Sequence, residues 1–301
     1  MKIRRRDSGD VIDQRGAGRA TGLGGLPIPL ALGGGLSLPI LILIIVAMLI
    51  FGGGGLFGGG GSSGFGVDSP FNQFPAAAPA PDNSGQPFEP ETPEEELVAF
   101  VVEDTQAFWS QQFAQAGMPY REVKLVLFEQ AVNTACGPAS SDTGPFYCPG
   151  DERMYIDLSF FRELAQRFGA PGDFAQAYVI AHEMGHHIQK LTGTNDQVSG
   201  LQQRNPNDAN ELSVRLELQA DCLAGVWAHS TYERDLLESG DLEEGLTAAA
   251  AVGDDRLQRE ATGRVNPETW THGSSEQRTR WFRTGFDSGS ADSCDTFSGD
   301  V

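Results

Sequence analysis

Basic side chains are scarce in this chain: 21 Lys and Arg stand against 41 Asp and Glu among 301 residues, a formal net charge of -20. A general nucleic-acid binder needs a basic surface to displace counterions from phosphates, so nucleic acid is excluded as a partner class. Histidine is scarcer still, at 5, so any histidines that fall into a ligand spacing carry weight. The 4 cysteines form no CxxC pair, which removes the usual signature of a structural zinc ribbon or finger. A hydrophobic content of 40% excludes a wholly disordered chain.

Residues 20–67 hold no charged side chain at all. Before that gap Lys2, Arg4, Arg5, Arg6, Arg15 and Arg19 outnumber Asp7, Asp10 and Asp13, whereas the chain after it is strongly acidic. Within the gap, residues 27–51 are almost wholly apolar. At about 1.5 Å per residue they are long enough to cross a hydrocarbon core of roughly 30 Å. The sequence therefore predicts one transmembrane helix over 27–51. The positive-inside rule then makes 1–26 a basic cytoplasmic tail and places the rest on the far side, with the lipid bilayer as a partner. Residues 52–91, Gly-rich and then Pro-rich, read as a linker that cannot form a core.

The globular part is expected over 92–301. Thr92, Pro93 and Glu95 make a helix start, with a capping threonine, a proline in the first turn and a glutamate three residues after the cap. A helix to about residue 116 follows, with Leu97, Phe100, Val101, Phe108 and Phe113 inward. Residues 123–128 and 154–158 read as strands, and the irregular stretch between them contains Cys136 and Cys148. In a domain placed outside the cytoplasm the four cysteines favour disulfides. Four allow three pairings; Cys136 with Cys148 and Cys222 with Cys294 are the ones expected. The final segment from Gly289 reads as a loosely ordered tail held, if anywhere, at Cys294.

The chemistry is concentrated further on. A helix expected over 173–191, stopped by Gly193, contains His182-Glu183-Met184-Gly185-His186. At about 100° per residue, positions i and i+4 differ by roughly 40°, so both histidines project from one face and can bind a single Zn(II). Glu183 is placed to take a proton from a water at that metal. His187 falls off the metal face. A catalytic zinc wants three protein ligands and an open position. Gln189 and Thr192 occupy the places where the extended HExxHxxGxxH motif needs Gly and His, so the third ligand must come from downstream. The next helix, over about 208–234, offers Glu217 and Asp221 one turn apart. Glu217 is expected as the ligand, and Asp221 as acceptor of a ligating histidine's free ring N–H; Glu211 and His229 compete for the ligand role.

The stretches HEMGHH, ELQADCLAGVWAH and THGSSEQRTRWFRTGF resemble those of the bacterial membrane-anchored neutral zinc metallopeptidases, and the whole layout of the chain is similar to theirs. The HExxH and ExxxD parts are also similar to the wider group of zincin peptidases whose third ligand is glutamate. The resemblance implies an α+β, zincin-like metallopeptidase domain, mainly helical with a small sheet, here preceded by the transmembrane helix. It implies a bacterial cell-membrane protein, single-pass, with its N-terminus cytoplasmic and its catalytic domain extracytoplasmic. It favours His272 as an oxyanion donor, with Arg278 or Arg280 the next choice. It also implies an edge strand beside the metal helix for an extended substrate, for which 154–158 is the candidate, with Tyr147 and Tyr155 more readily placed in the core.

The expected function is peptide-bond hydrolysis with one Zn(II) per chain held by His182, His186 and Glu217. Glu183 is the general base, His272 the assisting donor, and the partner a peptide or protein substrate. Two other functions use the same residues: a membrane-tethered zinc-binding scaffold or adaptor without activity, and a zinc hydrolase of a non-peptide amide. Oligomeric state is not legible.

Overall fold

The computed structural model describes residues 1–4, 7–16 and 87–301. Helix α1 (Pro93–Gln115) begins as expected: the Thr92 hydroxyl accepts from the Glu95 amide, and the Glu95 carboxylate accepts back from the Thr92 amide. Leu97 to Val102 are all buried, so this helix lies inside the molecule rather than presenting one apolar stripe.

The sheet joins distant parts of the chain. Strand β1 (Val11–Asp13) pairs in parallel with β2 (Lys124–Leu127); hairpin strands β3 (Ala131–Thr134) and β4 (Gly137–Ser140) stand apart; β5 (Phe146–Cys148) pairs antiparallel with β6 (Arg153–Ile156). With β2 and β6 also parallel, the order is β1-β2-β6-β5. The strand expected at 154–158 is thus interior, and the edge on that side is β5. Alternation along the strands sends Leu125, Leu127, Met154, Ile156 and Tyr147 into the main core, while Val126, Phe146, Cys148 and Tyr155 meet Val132 and Ala139 of the hairpin. The Cys136–Cys148 disulfide ties hairpin to edge strand.

Helices complete the body: α2 (Ser159–Gln166), α3 (Asp173–Leu191), α4 (Thr194–Arg204), α5 (Ala209–Glu233), α6 (Asp241–Ala251), α7 (Asp254–Thr262) and α8 (Ser275–Ser288). Gly193, at φ 81°, stops α3 where the sequence placed the stop. A Cβ on Gly185 of α3 would come within 2.9 Å of the Ala220 Cα of α5, so only glycine permits this approach. The Cys222–Cys294 disulfide secures α5 to the C-terminal segment. That segment is no loose tail: Thr296 is fully buried, and Arg215 and Gln219 donate to its carbonyls.

Neither expectation about the membrane is supported. No helix among the described residues is long and apolar enough to cross a bilayer, and the transmembrane helix expected over 27–51 lies outside the described residues. The basic N-terminus, expected as a cytoplasmic tail, is part of the domain. Besides β1, Lys2 pairs with Asp235, Arg15 with Asp13 and Glu95, and the Met1 ammonium sits among Asp173, Glu238 and Asp241. A segment that shares a sheet and these ion pairs with residues 92–301 is on the same side as they are. The single-pass arrangement, with the N-terminus cytoplasmic and the domain extracytoplasmic, is therefore not supported, and neither is a bilayer partnership built on it.

Candidate metal centre

Contacts between α3 and α5 run in opposite order along the two helices, His182 with Asp221, His186 with Glu217 and Gln189 with Leu216, so the helices are antiparallel. The close approach at Gly185 brings the Glu217 carboxylate to the two histidines. His182 Nε2 lies 3.2 Å from Glu217 Oε2, and His186 Nε2 lies 3.5 Å from Glu217 Oε1. One ligand atom from each of the three residues falls within 4.8 Å of the others.

The residues fit a zinc ion. Tetrahedral ligands about 2.0–2.1 Å from a metal are roughly 3.3 Å from one another, close to these separations. The other ring nitrogens are committed elsewhere. His182 Nδ1–H donates to Asp221 at 2.8 Å, and His186 Nδ1–H donates to the Gln189 side-chain carbonyl at 2.9 Å. Gln189 is oriented in turn by donating to the Leu216 carbonyl at 2.7 Å. Both imidazoles therefore present Nε2 to one point, the tautomer a metal requires. Of the expected alternatives, Glu211 pairs with Arg215, and His229 Nδ1–H donates to the Phe286 carbonyl.

Asp221 is fully buried and heavily engaged. Arg278 donates Nε–H to one oxygen at 2.8 Å and Nη2–H to the other at 2.9 Å, and the Tyr178 hydroxyl donates as well. Arg278 is thus held behind His182, in the pair that keeps Asp221 charged, rather than free as an oxyanion donor. Arg280 lies over the Trp281 ring. Burial alone raises the Asp221 carboxyl, but Arg278 and His182 outweigh it and hold it below the usual carboxylate range. Burial likewise opposes charge on Glu217, yet His186 and His182 keep it well below its ordinary value. For His182, burial lowers the ring and Asp221 and Glu217 raise it further, leaving it at about 9 in the metal-free site.

Glu183 is buried beside this cluster, and its carboxylate takes no hydrogen bond from any described residue. Burial raises its carboxyl above the ordinary value, partly offset by the two ligand histidines. His272 lines the same cleft, of about 260 Å³, as Glu183, His182, His186 and Glu217. Its Nδ1 faces Asp254 at 3.3 Å, leaving Nε2 as its remaining donor. Asp254 is fully buried and accepts the backbone amides of Thr271, His272 and Gly273 at 2.8, 2.7 and 3.1 Å. Burial lowers the His272 ring, but Asp254 outweighs it and raises the ring above its ordinary value.

The sequence reading did not find Asp254, Gln189 or Tyr178, nor the place of Arg278. Only Gln189 left a local signal, three residues beyond His186 on the same helix. The others meet the site through tertiary contacts.

A family model described as putative neutral zinc metallopeptidase matches residues 1–297. The chain belongs to that family. The family's match reaches back through the N-terminal segment that joins the sheet. Among relatives, uncharacterized protein YpfJ of Escherichia coli strain K12 is 52% identical over 202 residues, covering 67% of this chain and 70% of that protein. Uncharacterized protein Rv2575 of Mycobacterium tuberculosis strain H37Rv is 50% identical over 190 residues, covering 60% of this chain and 64% of its own. No solved structure matches the chain.

Proposed function

We propose that this protein is a zinc-dependent metallopeptidase in which His182, His186 and Glu217 hold one Zn(II) and Glu183 acts as general base. The observation that carries the reading is the convergence of two histidine Nε2 atoms and one carboxylate beside a buried glutamate whose carboxylate no described residue hydrogen-bonds. When bound, Zn(II) supplies Lewis-acid polarisation of a scissile carbonyl and acidifies a water.

The chain's own groups do the rest. Glu183 takes the proton of the attacking water and returns it to the nitrogen of the leaving amine, which departs as the C–N bond breaks. His272, oriented by Asp254 at Nδ1, donates from Nε2 to the oxygen that gains negative charge. Asp221 and Gln189 hold the two ligand rings in place.

The cleft supports a substrate class. Phe160, Phe168, Val179, Val252 and Leu257 line it on the side of α2, α7 and the first half of α3. Val179 is one turn before Glu183, so this part of the lining suits a bulky apolar side chain of the substrate close to the general base. The test is hydrolysis of fluorescein-labelled casein by the full chain and by Glu183→Gln, with zinc measured on both. Loss of cleavage with zinc retained supports the reading; cleavage by the variant at the wild-type rate removes Glu183 as base; and zinc-loaded wild type that cleaves neither casein nor a peptide mixture favours zinc binding without peptidase activity.

A further inference from the structure

His187, beside a metal ligand in sequence, is fully buried and forms no part of the cleft wall. Its two nitrogens bridge two other pieces of chain: Nε2 is 2.7 Å from the Arg121 carbonyl, and Nδ1 is 3.1 Å from the Tyr147 hydroxyl. A carbonyl only accepts, so the ring proton is on Nε2. Nδ1 is then the acceptor and Tyr147 donates to it. Tyr147 reaches α3 because strand alternation turns it opposite to Phe146 and Cys148, and its ring packs on that of His187 at 5.5 Å.

Tyr147 belongs to the edge strand β5, which lines the cleft together with the chain from Ser141 to Pro145. Among the described residues, the Tyr147–His187 bond is the only side-chain hydrogen bond between residues 136–149 and the metal helix α3. The Cys136–Cys148 disulfide joins this wall to itself and leaves its position relative to the metal helix undetermined.

We infer that His187 and Tyr147 are positioning residues that set the open edge of β5 against the metal helix, and so set the register in which an extended peptide backbone lies across the metal ligands. This rests on the peptidase reading. The substrate pairs by main-chain hydrogen bonds with the edge of β5 that no described strand occupies, and a shift of that edge misplaces the scissile bond.

The test compares full-length wild type, Tyr147→Phe, His187→Gln, their double variant and His187→Asn. Zinc per chain and hydrogen–deuterium exchange over residues 146–148 are read on each, together with kcat and KM on fluorescein-labelled casein. Tyr147→Phe keeps the ring and removes only the hydroxyl. His187→Gln keeps a donor toward Arg121 and loses the acceptor for Tyr147. Each is expected to exchange faster at 146–148 and to raise KM roughly fivefold, the worth of about one buried hydrogen bond, with kcat within about twofold and zinc unchanged. The double variant is expected to be no worse than either single one, and His187→Asn, which restores an acceptor near Nδ1, to recover toward wild type.

An unchanged KM, a double variant whose effects multiply, or a joint fall of kcat and zinc overturns the assignment. If wild type cleaves nothing, the peptidase reading is what fails. Exchange then decides the tether alone: faster exchange confined to 146–148 supports it, and unchanged exchange overturns it.

Discussion

The two sides of the cleft are held by different physics. On the α3 and α5 side, buried charges are matched in a connected network: His182 with Asp221, Asp221 with Arg278, and Glu217 with both histidines, across a contact only Gly185 allows. On the β5 side, a strand of three residues is kept, among the described residues, by one partner strand, one disulfide and one hydroxyl. The first arrangement is rigid because a buried charge without its partner is costly; the second gives way locally when one bond is removed. A catalytic centre needs the first at the metal and tolerates the second where substrates must enter.

That contrast orders the expected effects. Arg278→Met leaves Asp221 buried without its cation and is expected to cost about 3–5 kcal/mol in denaturant unfolding, with zinc lost as well. A cost within 1 kcal/mol would place the two sides on an equal footing. Removal of the Cys136–Cys148 disulfide by paired serines is expected to cost about 3 kcal/mol in the chain-entropy model while zinc content stays at wild type. Gly185→Ala forces Cβ against Ala220 and is expected to cost about 1–3 kcal/mol, with weaker zinc binding as the helices separate. Asp221→Asn is expected to weaken zinc roughly 10–100-fold by competition against a chromophoric chelator, since the ring of His182 loses its carboxylate.

Acid provides a titration of the same side. The metal-free His182 ring is held at about 9, so protons compete with zinc for Nε2 below that pH. Because a raised pKa favours the protonated, metal-free form, zinc affinity is expected to rise as pH increases through 6 to 8 and to level off near 9. In Asp221→Asn the levelling point moves down toward the ordinary histidine value. A wild-type affinity that is flat over this range would contradict the sign.

How much of this was legible in sequence follows from the range of the contacts. HEMGH and ExxxD are spacings within single helices, and the helix period alone aligns them, so the three candidate ligands, Glu183 and Asp221 stand out without a structure. The Thr92 capping box is similarly local, and both expected disulfides are present. Asp254 holds His272 from 18 positions away, across the turn before α8, and nothing near either residue marks the pair. The edge was misplaced because residues 146–148 fall in the stretch that reads as irregular, and only their antiparallel pairing with β6 makes them the strand beyond it. The N-terminus misled most. Its basic residues before an uncharged stretch fit the positive-inside pattern, yet Arg15 pairs with Asp13 and Glu95, and the three residues of β1 are too few to announce a parallel strand.

The most direct test of the account is zinc per chain, measured by elemental analysis on full-length wild type and Glu217→Ala prepared without chelators. One zinc in wild type and a marked loss in the variant is the expected result. Wild type without zinc, or zinc undiminished by the substitution, would contradict the ligand set on which the proposed chemistry stands.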